Sequence, residues 1–292
     1  MNVVIINPVA GSARRGTAEE RVRLASRALK AVGLKAEILL TTCAGHAFHL
    51  ASRAAAESAE LVIAWGGDGT INEVGRALAF SSTAMGIVPS GSGNGLAREL
   101  GIPFSAEAAL AYALSKPERQ IDSGEIEGRL FFNVAGIGLD AHVAERVSRR
   151  HHAHGGLRPY ITASARGILG YRPCEYTIQA GTELIRRTAV VVVLANSRQY
   201  GYGARIAPLA QLDDGALDLV VVEDRGVVGN LARLPSLMTG GLRQRPGVLM
   251  RKVKEVTVSA LTPMPFHVDG ERMSGGDSIS ARVHPGALRV RA

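Results

Sequence analysis

The sequence has 292 residues and a formal net charge of +8, with 46% hydrophobic and 21% charged residues. This composition is typical of a folded globular protein, so it excludes a chain that is disordered or collagen-like throughout. The length suggests two domains, at about 150 residues per domain. The longest apolar run, Ala189–Ala195, is far shorter than the roughly 18–20 residues that a membrane-spanning helix needs. The positive charge favours an anionic partner, namely nucleic acid, a nucleotide or an acidic membrane face.

The location of the protein is predicted from its first residues and its cysteines. The chain runs directly into the strand-like segment Val3–Ile6 without a basic leader, so we expect no secretory signal. Cys43 and Cys174 form neither a metal motif nor a disulfide framework. A reducing cytoplasm is therefore the expected location.

Residues 1–121 alternate between predicted strands and helices. The apolar strands are Val3–Ile6, Ala36–Leu40, Leu61–Trp65 and Ala84–Val88. The first predicted helix begins with a capping box at Thr17–Glu20 and ends at Gly33. The others are His46–Ser58, Ile71–Phe80 and a helix that is capped by Ser105 and runs through Leu114. Strands without polar residues that alternate with helices indicate a parallel sheet covered on both faces.

After Asp122 the pattern changes to short strands joined by glycine-bearing connections. The predicted strands are Ile121–Ile126, Leu130–Val134, Glu175–Gln179, Thr188–Ala195, Ala216–Val222, Val253–Val258 and Pro265–Val268, with helices near 138–150, 157–170 and 227–240. We therefore expect a mostly antiparallel β domain over residues 122–283. The tail, residues 284–292 with the strand-like Ala287–Val290, is compatible with a return to the first domain.

Three glycine-rich loops follow strands of the first domain. They are Asn7–Ser12, Gly66–Glu73 and Pro89–Gly95. Because the carboxyl ends of parallel strands share one edge, where open α/β sheets bind ligands, these loops predict a phosphate site. Arg14 and Arg15 could add phosphate contacts. The P-loop pattern does not occur, which excludes a P-loop. The pattern G-x-G-x-x-G is also missing, which weakens an interpretation as a Rossmann dinucleotide-binding fold.

The sequence resembles the diacylglycerol kinase and sphingosine kinase catalytic family, which includes bacterial soluble lipid kinases. The main signature is Gly66-Gly-Asp-Gly-Thr70 followed by Asn72-Glu73-Val74. Further matches, in the family's order, are Asn7-Pro8 with Gly11, Thr41/Thr42 with Gly45-His46-Ala47, Pro89–Ala97, Asn133 with Gly136 and Gly138-Leu-Asp140, Pro208 with Asp214–Asp218, and Asp269-Gly270-Glu271. In the third loop, Gly91-Ser92-Gly93-Asn94 is nearer the sphingosine kinase form. NAD kinases share the Gly-Gly-Asp-Gly loop, but the matches beyond residue 122 favour lipid kinases.

The resemblance implies a fold and a reaction. The implied fold is a three-layer α/β N-terminal domain with a parallel sheet, like that of NAD kinase and diacylglycerol kinase, plus a C-terminal antiparallel β-sandwich domain. The implied reaction transfers the γ-phosphate of ATP to the hydroxyl of diacylglycerol or a related lipid. A sphingoid-base or other alcohol kinase and a non-catalytic nucleotide- or lipid-binding regulator stay open as alternatives.

The resemblance also implies the nucleotide-binding residues. They are Asn7, Pro8, Gly11, Thr41, Thr42, Gly66, Gly67, Asp68, Gly69, Thr70, Ile71, Asn72, Ser92 and Asn94. Asp68 would be catalytic and would order Mg²⁺ and water beside the phosphates, because phosphoryl transfer needs a metal to offset charge. The plainer alternative is that Asp68 caps the helix that is predicted to start at Ile71.

Glu271 is the family's proton acceptor by position. It would take the proton from the lipid hydroxyl as that oxygen attacks the phosphate. Without the resemblance, Asp269-Gly270 predicts only the turn of a β-hairpin.

The resemblance implies a structural Mg²⁺ at the Asp-Gly turn that contains Asp214. Main-chain oxygens of Gln211 and Ala216 would complete the site, and a hard cation accepts such oxygen ligands. A plain turn is the alternative. The histidines His151, His152 and His154 show no zinc spacing and are interpreted as a solvated loop.

Two basic clusters are candidates for contact with anionic lipid headgroups. They are Arg146–Arg150 and Arg243–Lys254, and the alternative for both is a solvated surface. The expected partners are ATP, a lipid substrate and the surface of an anionic membrane, with peripheral association. Nucleic acid is not expected, since aromatic residues total only 4% and no recognition motif is present. A homodimer is compatible with the sequence.

Overall fold

The computed structural model describes residues 1–11, 17–148, 165–201, 204–238 and 246–292. The chain divides into two compact units, which are described separately. The first unit contains residues 1–121 and 286–292, and the second contains residues 122–285. Within the described residues, no helix is long and apolar enough to cross a lipid bilayer.

The first unit contains a parallel sheet in the strand order β2-β1-β3-β4. Its strands are β1 (Asn2–Ile6), β2 (Ala36–Leu40), β3 (Leu61–Gly66) and β4 (Ala84–Pro89). All residues of β3 and β4 are buried, as expected for parallel strands that are covered on both faces. The last strand of the chain, β17 (Ser278–Arg291), ends beside β4, where Val290 pairs with Met85 in parallel.

The described residues of this unit form five helices. They are α1 (Ala18–Ala31), α2 (His46–Ala56), α3 (Asp68–Leu78), α4 (Gly95–Glu99) and α5 (Ala106–Ser115). The predicted capping box at Thr17 is present, and Ser105 accepts the N–H of Ala108. The predicted start of α3 at Ile71 is wrong, because the N–H of Ile71 already bonds to the carbonyl of Gly67 at 3.0 Å. The helix therefore starts at Asp68, directly after the loop glycine.

The second unit is built mainly from antiparallel strands. They are β5 (Glu118–Ile126, which begins in the first unit), β6 (Arg129–Phe131), β7 (Val134–Gly138), β8 (Cys174–Ala180), β9 (Glu183–Ala195), β10 (Gln199–Gly201), β11 (Ala204–Arg205), β12 (Leu217–Glu223), β13 (Val248–Val253), β14 (Glu255–Ser259), β15 (Phe266–Val268), β16 (Glu271–Met273) and the first part of β17. Two helices, α6 (Leu139–Ser148) and α7 (Gly226–Met238), are inserted, and residues 165–170 are also helical. The remainder of the helix predicted over 157–170 lies outside the described residues.

The long strand β9 organises the core of this unit. Its residues 191–195 lie between β7 and β12, and residues 183–189 pair with β8. Val192 and Leu194 pack into one buried cluster, whereas Val191 and Val193 pack into another. This alternation follows from the opposite directions of successive side chains in a strand.

Two predicted strands are each interrupted. The segment Leu130–Val134 forms β6 and β7, because the backbone N–H groups of Phe132, Asn133 and Val134 bond to the Asp269 carboxylate. Val253–Val258 likewise contains the end of β13 and most of β14, which are separated at Lys254. The short strands β10, β11 and β16 were not predicted.

Candidate functional site

The loops at the carboxyl ends of the parallel strands are joined by hydrogen bonds. Asn7, directly after β1, donates its side-chain N–H to Thr70 Oγ1 at 2.9 Å. The backbone N–H of Asn7 bonds to Trp65, and that of Ser90 bonds to Gly66, which ends β3. The structure therefore brings the first, second and third loops together at one edge of the sheet.

A buried arginine supports the first loop. The guanidinium of Arg21, on α1, donates to the carbonyl oxygens of Asn7 and Ala10 at 2.7 and 2.8 Å. Pro8 lies between these residues, and Gly11 follows them in an exposed position. Arg21 was not predicted, although its spacing to Ala25 and Leu29 places an arginine on the apolar face of the helix, where charged residues are rare. Ser12, Arg14 and Arg15 lie outside the described residues.

Asp68 connects the second loop to the third. Its Oδ2 accepts the N–H of Asn94 at 2.8 Å, and its Oδ1 accepts the N–H of Gly95 at 2.7 Å. Both donors lie at the start of α4, so Asp68 caps α4 and not its own helix. Asp68 lies in the first turn of α3, and the N-cap residue of that helix, Gly67, has no side chain to cap it.

The glycines beside Asp68 have a steric role. A Cβ atom on Gly91 would lie 2.7 Å from the Cα of Gly67, so neither loop could approach the other with a side chain at this point. By contrast, a Cβ on Gly69 would meet no protein atom within 4 Å. Packing between the loops therefore explains Gly67 and Gly91, but it does not explain Gly69.

Asn94 closes the third loop through its own side chain. Its Oδ1 accepts the N–H of Gly91 and its Nδ2 donates to the carbonyl of Gly91, both at 2.8 Å. The residue is buried and has a positive φ of 51°. Ser92, which lies between Gly91 and Asn94 in the loop, is exposed. The contacts of Asn94 are those of a residue that shapes the loop.

The loop after β2 is tied to α3. The carboxylate of Glu73 accepts the N–H groups of Gly45 and Ala47 at 2.8 and 3.1 Å, and so caps α2. Thr42 bonds to the ring of His46, whereas Thr41 is buried. On α3, Ile71 is also buried and Asn72 is partly exposed.

In the second unit, Asp269 and Gly270 form the turn between β15 and β16. Val268 pairs with Glu271 across the hairpin, and both turn residues have positive φ. The Asp269 carboxylate accepts the N–H groups of Phe132, Asn133 and Val134 at 2.9 to 3.0 Å. Glu271 is the first residue of β16 and is exposed. The hairpin is therefore present, and the Asp269 contacts fix the turn that carries Glu271.

A buried polar cluster lies next to this hairpin. His267 Nε2 lies 2.5 Å from Asp140 Oδ2, and both side chains are only 4% exposed. The Tyr200 hydroxyl donates to the other oxygen of Asp140. A Cβ on Gly136 would collide with Asp140 and lie 2.6 Å from His267 Nε2, which explains the glycine. Burial lowers the pKa of His267, but the charge and hydrogen bond of Asp140 outweigh it, and the pKa is raised.

The Asp214 turn has protein donors on both carboxylate oxygens. Oδ1 accepts the N–H of Ala216 at 3.1 Å, and Oδ2 lies 2.5 Å from Lys252 Nζ. Gln211 is exposed near the start of the turn. Among the described residues, no group of three or more His, Cys, Asp or Glu side chains is arranged to hold a metal. The Lys252 ammonium group already supplies a positive charge at Asp214, so this turn does not fit the predicted structural Mg²⁺.

The basic clusters are described only in part. Arg149, Arg150, Arg243 and Arg245, the side chain of Arg146, and the histidines His151, His152 and His154 lie outside the described residues. In the second cluster, Arg251 pairs with Glu183 at 3.4 Å, and Lys252 contacts two carboxylates. Both of these cations are therefore engaged within the protein.

These features place the chain in the class of α/β proteins that bind ligands at the carboxyl ends of parallel strands. Residues 2–126 match the sequence profile of the diacylglycerol kinase catalytic domain. Residues 133–292 match that of the YegS C-terminal NAD kinase beta sandwich-like domain. The chain belongs to this family of lipid kinases and is a kinase.

Individual relatives agree with the profiles. A probable lipid kinase YegS-like from Pseudomonas fluorescens is 31% identical over 274 residues, which span 93% of this chain and 90% of that protein. A diacylglycerol kinase from Bacillus subtilis is 29% identical over 278 residues, with 92% and 88% covered.

Solved structures share the fold. A putative diacylglycerol kinase from Bacillus anthracis superposes with a TM-score of 0.83 at 22% identity, over 99% of this chain and 96% of that one. A second structure, from the same organism, gives a TM-score of 0.82. The predicted fold class, a parallel α/β domain followed by an antiparallel β-sandwich-like domain, is confirmed.

Proposed function

We propose that this kinase transfers the γ-phosphate of ATP to the hydroxyl of diacylglycerol or a related lipid, giving phosphatidic acid or an analogue. The observation that carries the proposal is the set of glycine loops joined by Asp68, within residues that match a diacylglycerol kinase catalytic domain. The names of the relatives support a lipid alcohol as the acceptor.

The first unit holds the nucleotide phosphates in this proposal. The start of α3 follows the second loop, and the N–H groups at a helix N-terminus favour an anion. Space beside Gly69 would let phosphate oxygens approach the backbone closely. The Asn7–Thr70 hydrogen bond fixes the first loop against this helix. The other predicted nucleotide-binding residues stay predictions.

Asp68 is the candidate for holding Mg²⁺, directly or through water. Each carboxylate oxygen accepts one backbone N–H, and an ionised carboxylate offers about four acceptor positions, so the residue fits this additional role. When bound, Mg²⁺ supplies positive charge that offsets the charge of the transferring phosphoryl group. The bonds to Asn94 and Gly95 hold the carboxylate in a fixed position for this purpose.

Glu271 is the proposed proton acceptor. Its exposed carboxylate would accept the proton of the lipid hydroxyl as that oxygen attacks the γ-phosphorus. The turn before it is fixed by three hydrogen bonds to Asp269. A fixed position of this turn matters because a general base must lie within hydrogen-bond distance of the proton that it removes.

Peripheral contact with an anionic membrane is part of the proposal, because the acceptor is a lipid. The net charge of +8 supports it. Co-sedimentation with anionic and neutral vesicles at low and high salt tests it: salt-sensitive binding to the anionic vesicles alone is expected. Equal binding to both kinds of vesicle would contradict the electrostatic contact. A homodimer stays a prediction that sedimentation of the purified protein tests.

The test of the function is a lipid panel. Purified protein is incubated with Mg²⁺ and ATP labelled on the γ-phosphate, together with diacylglycerol, a sphingoid base or a soluble alcohol in mixed micelles. We expect the label in phosphatidic acid. Label in the sphingoid base alone would support the alternative that the form of the third loop favours. ATP binding without label in any acceptor would contradict the proposal and indicate a regulator.

A further inference from the structure

The strand register of the second unit places a lysine opposite a carboxylate. In the antiparallel pair of β12 and β13, Asp218 lies directly across from Lys252. The Lys252 Nζ lies 3.2 Å from Asp218 Oδ2 and 2.5 Å from Oδ2 of Asp214, which lies in the turn before β12. One ammonium group therefore bridges two carboxylates.

These carboxylates need a cation. The side chains of Asp214 and Asp218 are only 19% and 12% exposed. Two nearby carboxylates that are withdrawn from water remain ionised at low cost only if a positive charge lies between them.

The turn itself is closed by donors of the protein. Ala216, whose main-chain oxygen was predicted to bind a metal, donates its N–H to Asp214. The N–H of Gly215 bonds to Oδ2 of the buried Asp122 at 2.7 Å. The backbone of Asp122 in turn donates to the carbonyl of Leu212 at 2.6 Å. The turn thus has its own hydrogen bonds and its own cation.

We infer that the Lys252 ammonium group replaces a bound structural metal at the Asp214 turn, so that the second unit is stable without a divalent cation. The inference concerns folding and is independent of the proposed lipid kinase reaction. It is also independent of Mg²⁺ bound with ATP.

The test compares melting temperatures of the nucleotide-free protein in EDTA and in millimolar MgCl₂. We expect the wild-type Tm to be the same in both. Lys252→Met keeps most of the side-chain length but removes the charge, and it should lower the Tm by several degrees. Lys252→Arg, which keeps a cation, should recover most of this loss. Arg251→Met is the matched control on the same strand and should have little effect, because Arg251 pairs with a half-exposed glutamate.

A second variant covers the case in which Lys252→Met does not fold. Adding Asp214→Asn to Lys252→Met removes one of the two carboxylates and should restore folding or raise the Tm, because less negative charge is left unpaired. Failure of this double variant to improve on Lys252→Met would contradict the inference. So would a wild-type Tm that rises with MgCl₂ and loses that rise in Asp214→Asn. An unchanged Tm in Lys252→Met would overturn it as well.

Discussion

The two units differ in the partners of their carboxylates. In the first unit, glycine loops pack backbone against backbone, and the Asp68 carboxylate fastens them through N–H groups. In the second unit, the Asp269 carboxylate fastens a turn through N–H groups in the same way. The carboxylates of Asp140, Asp214 and Asp218 are instead matched with a histidine or a lysine. In the first unit the Cβ position of Gly69 is open, whereas these three carboxylates of the second unit are paired within the protein.

The largest effect on stability is expected where the second unit has no space. Gly136→Ala would drive its Cβ into the Asp140–His267 pair. Displacing a buried ion pair costs about 3–5 kcal/mol, so we expect a loss of that size in the free energy of unfolding, measured with urea. Gly276→Ala is the control, because its nearest neighbour would be 3.6 Å away. Equal stability of the two variants would contradict the steric role of Gly136.

A smaller loss of stability is expected when the hydrogen bonds from Asp68 to the third loop of the first unit are weakened. In Asp68→Asn only one oxygen remains to accept the two N–H groups, so an unpaired polar group would cost about 1–3 kcal/mol. If Asp68 also holds Mg²⁺, the Mg²⁺ concentration that gives half-maximal turnover should rise. Asn94→Gly loosens the same loop without touching the carboxylate and should leave that concentration unchanged. The same Mg²⁺ dependence in both variants and the wild type would leave Asp68 as a loop clamp only.

The buried histidine predicts a pH dependence. Burial lowers the pKa of His267, but Asp140 and the charge of Asp269 together raise it above its usual value, so the folded protein binds this proton more tightly than the unfolded chain. The stabilisation is complete below the unfolded pKa of about 6.5 and is lost as the pH rises through the folded pKa. Urea unfolding at a series of pH values should show this decrease of the free energy of unfolding with rising pH in the wild type and in His49→Gln, but not in His267→Gln. Equal slopes in all three would refute this origin of the pH dependence.

The smallest effect on stability is expected at Gly69. Because its Cβ position is open and it lies in α3, Gly69→Ala should raise the free energy of unfolding by about 0.5–1 kcal/mol. If phosphates approach the backbone there, the KM for ATP should increase in spite of the greater stability. An unchanged KM would show that the nucleotide does not use this space.

The sequence predicted features that depend on neighbouring residues. The capping box at Thr17, the cap at Ser105 and the hairpin at Asp269-Gly270 are local, and each is present. The parallel strands were predicted to within a residue at each end, because their apolar runs are bounded by turns.

Contacts between distant residues were not predicted. The partners of Asp68 lie 26 and 27 positions away, and those of Asp269 about 136 positions away. The Asp269 bonds split what the sequence presents as one strand. Lys252 was predicted to lie on a basic surface, because its pairing with Asp218 depends on a strand register that composition does not reveal.

The proposed reaction requires that Glu271 accepts the proton in phosphoryl transfer while the first unit holds ATP. The most direct test measures initial rates of label transfer from ATP to diacylglycerol, with ATP affinity measured separately. We expect Glu271→Gln to lower the rate by about 10²–10⁴-fold with ATP affinity and Tm unchanged. Glu255→Gln, an exposed glutamate that also begins a strand, should keep the wild-type rate. A Glu271→Gln variant as active as the wild type would contradict the role of Glu271 as proton acceptor.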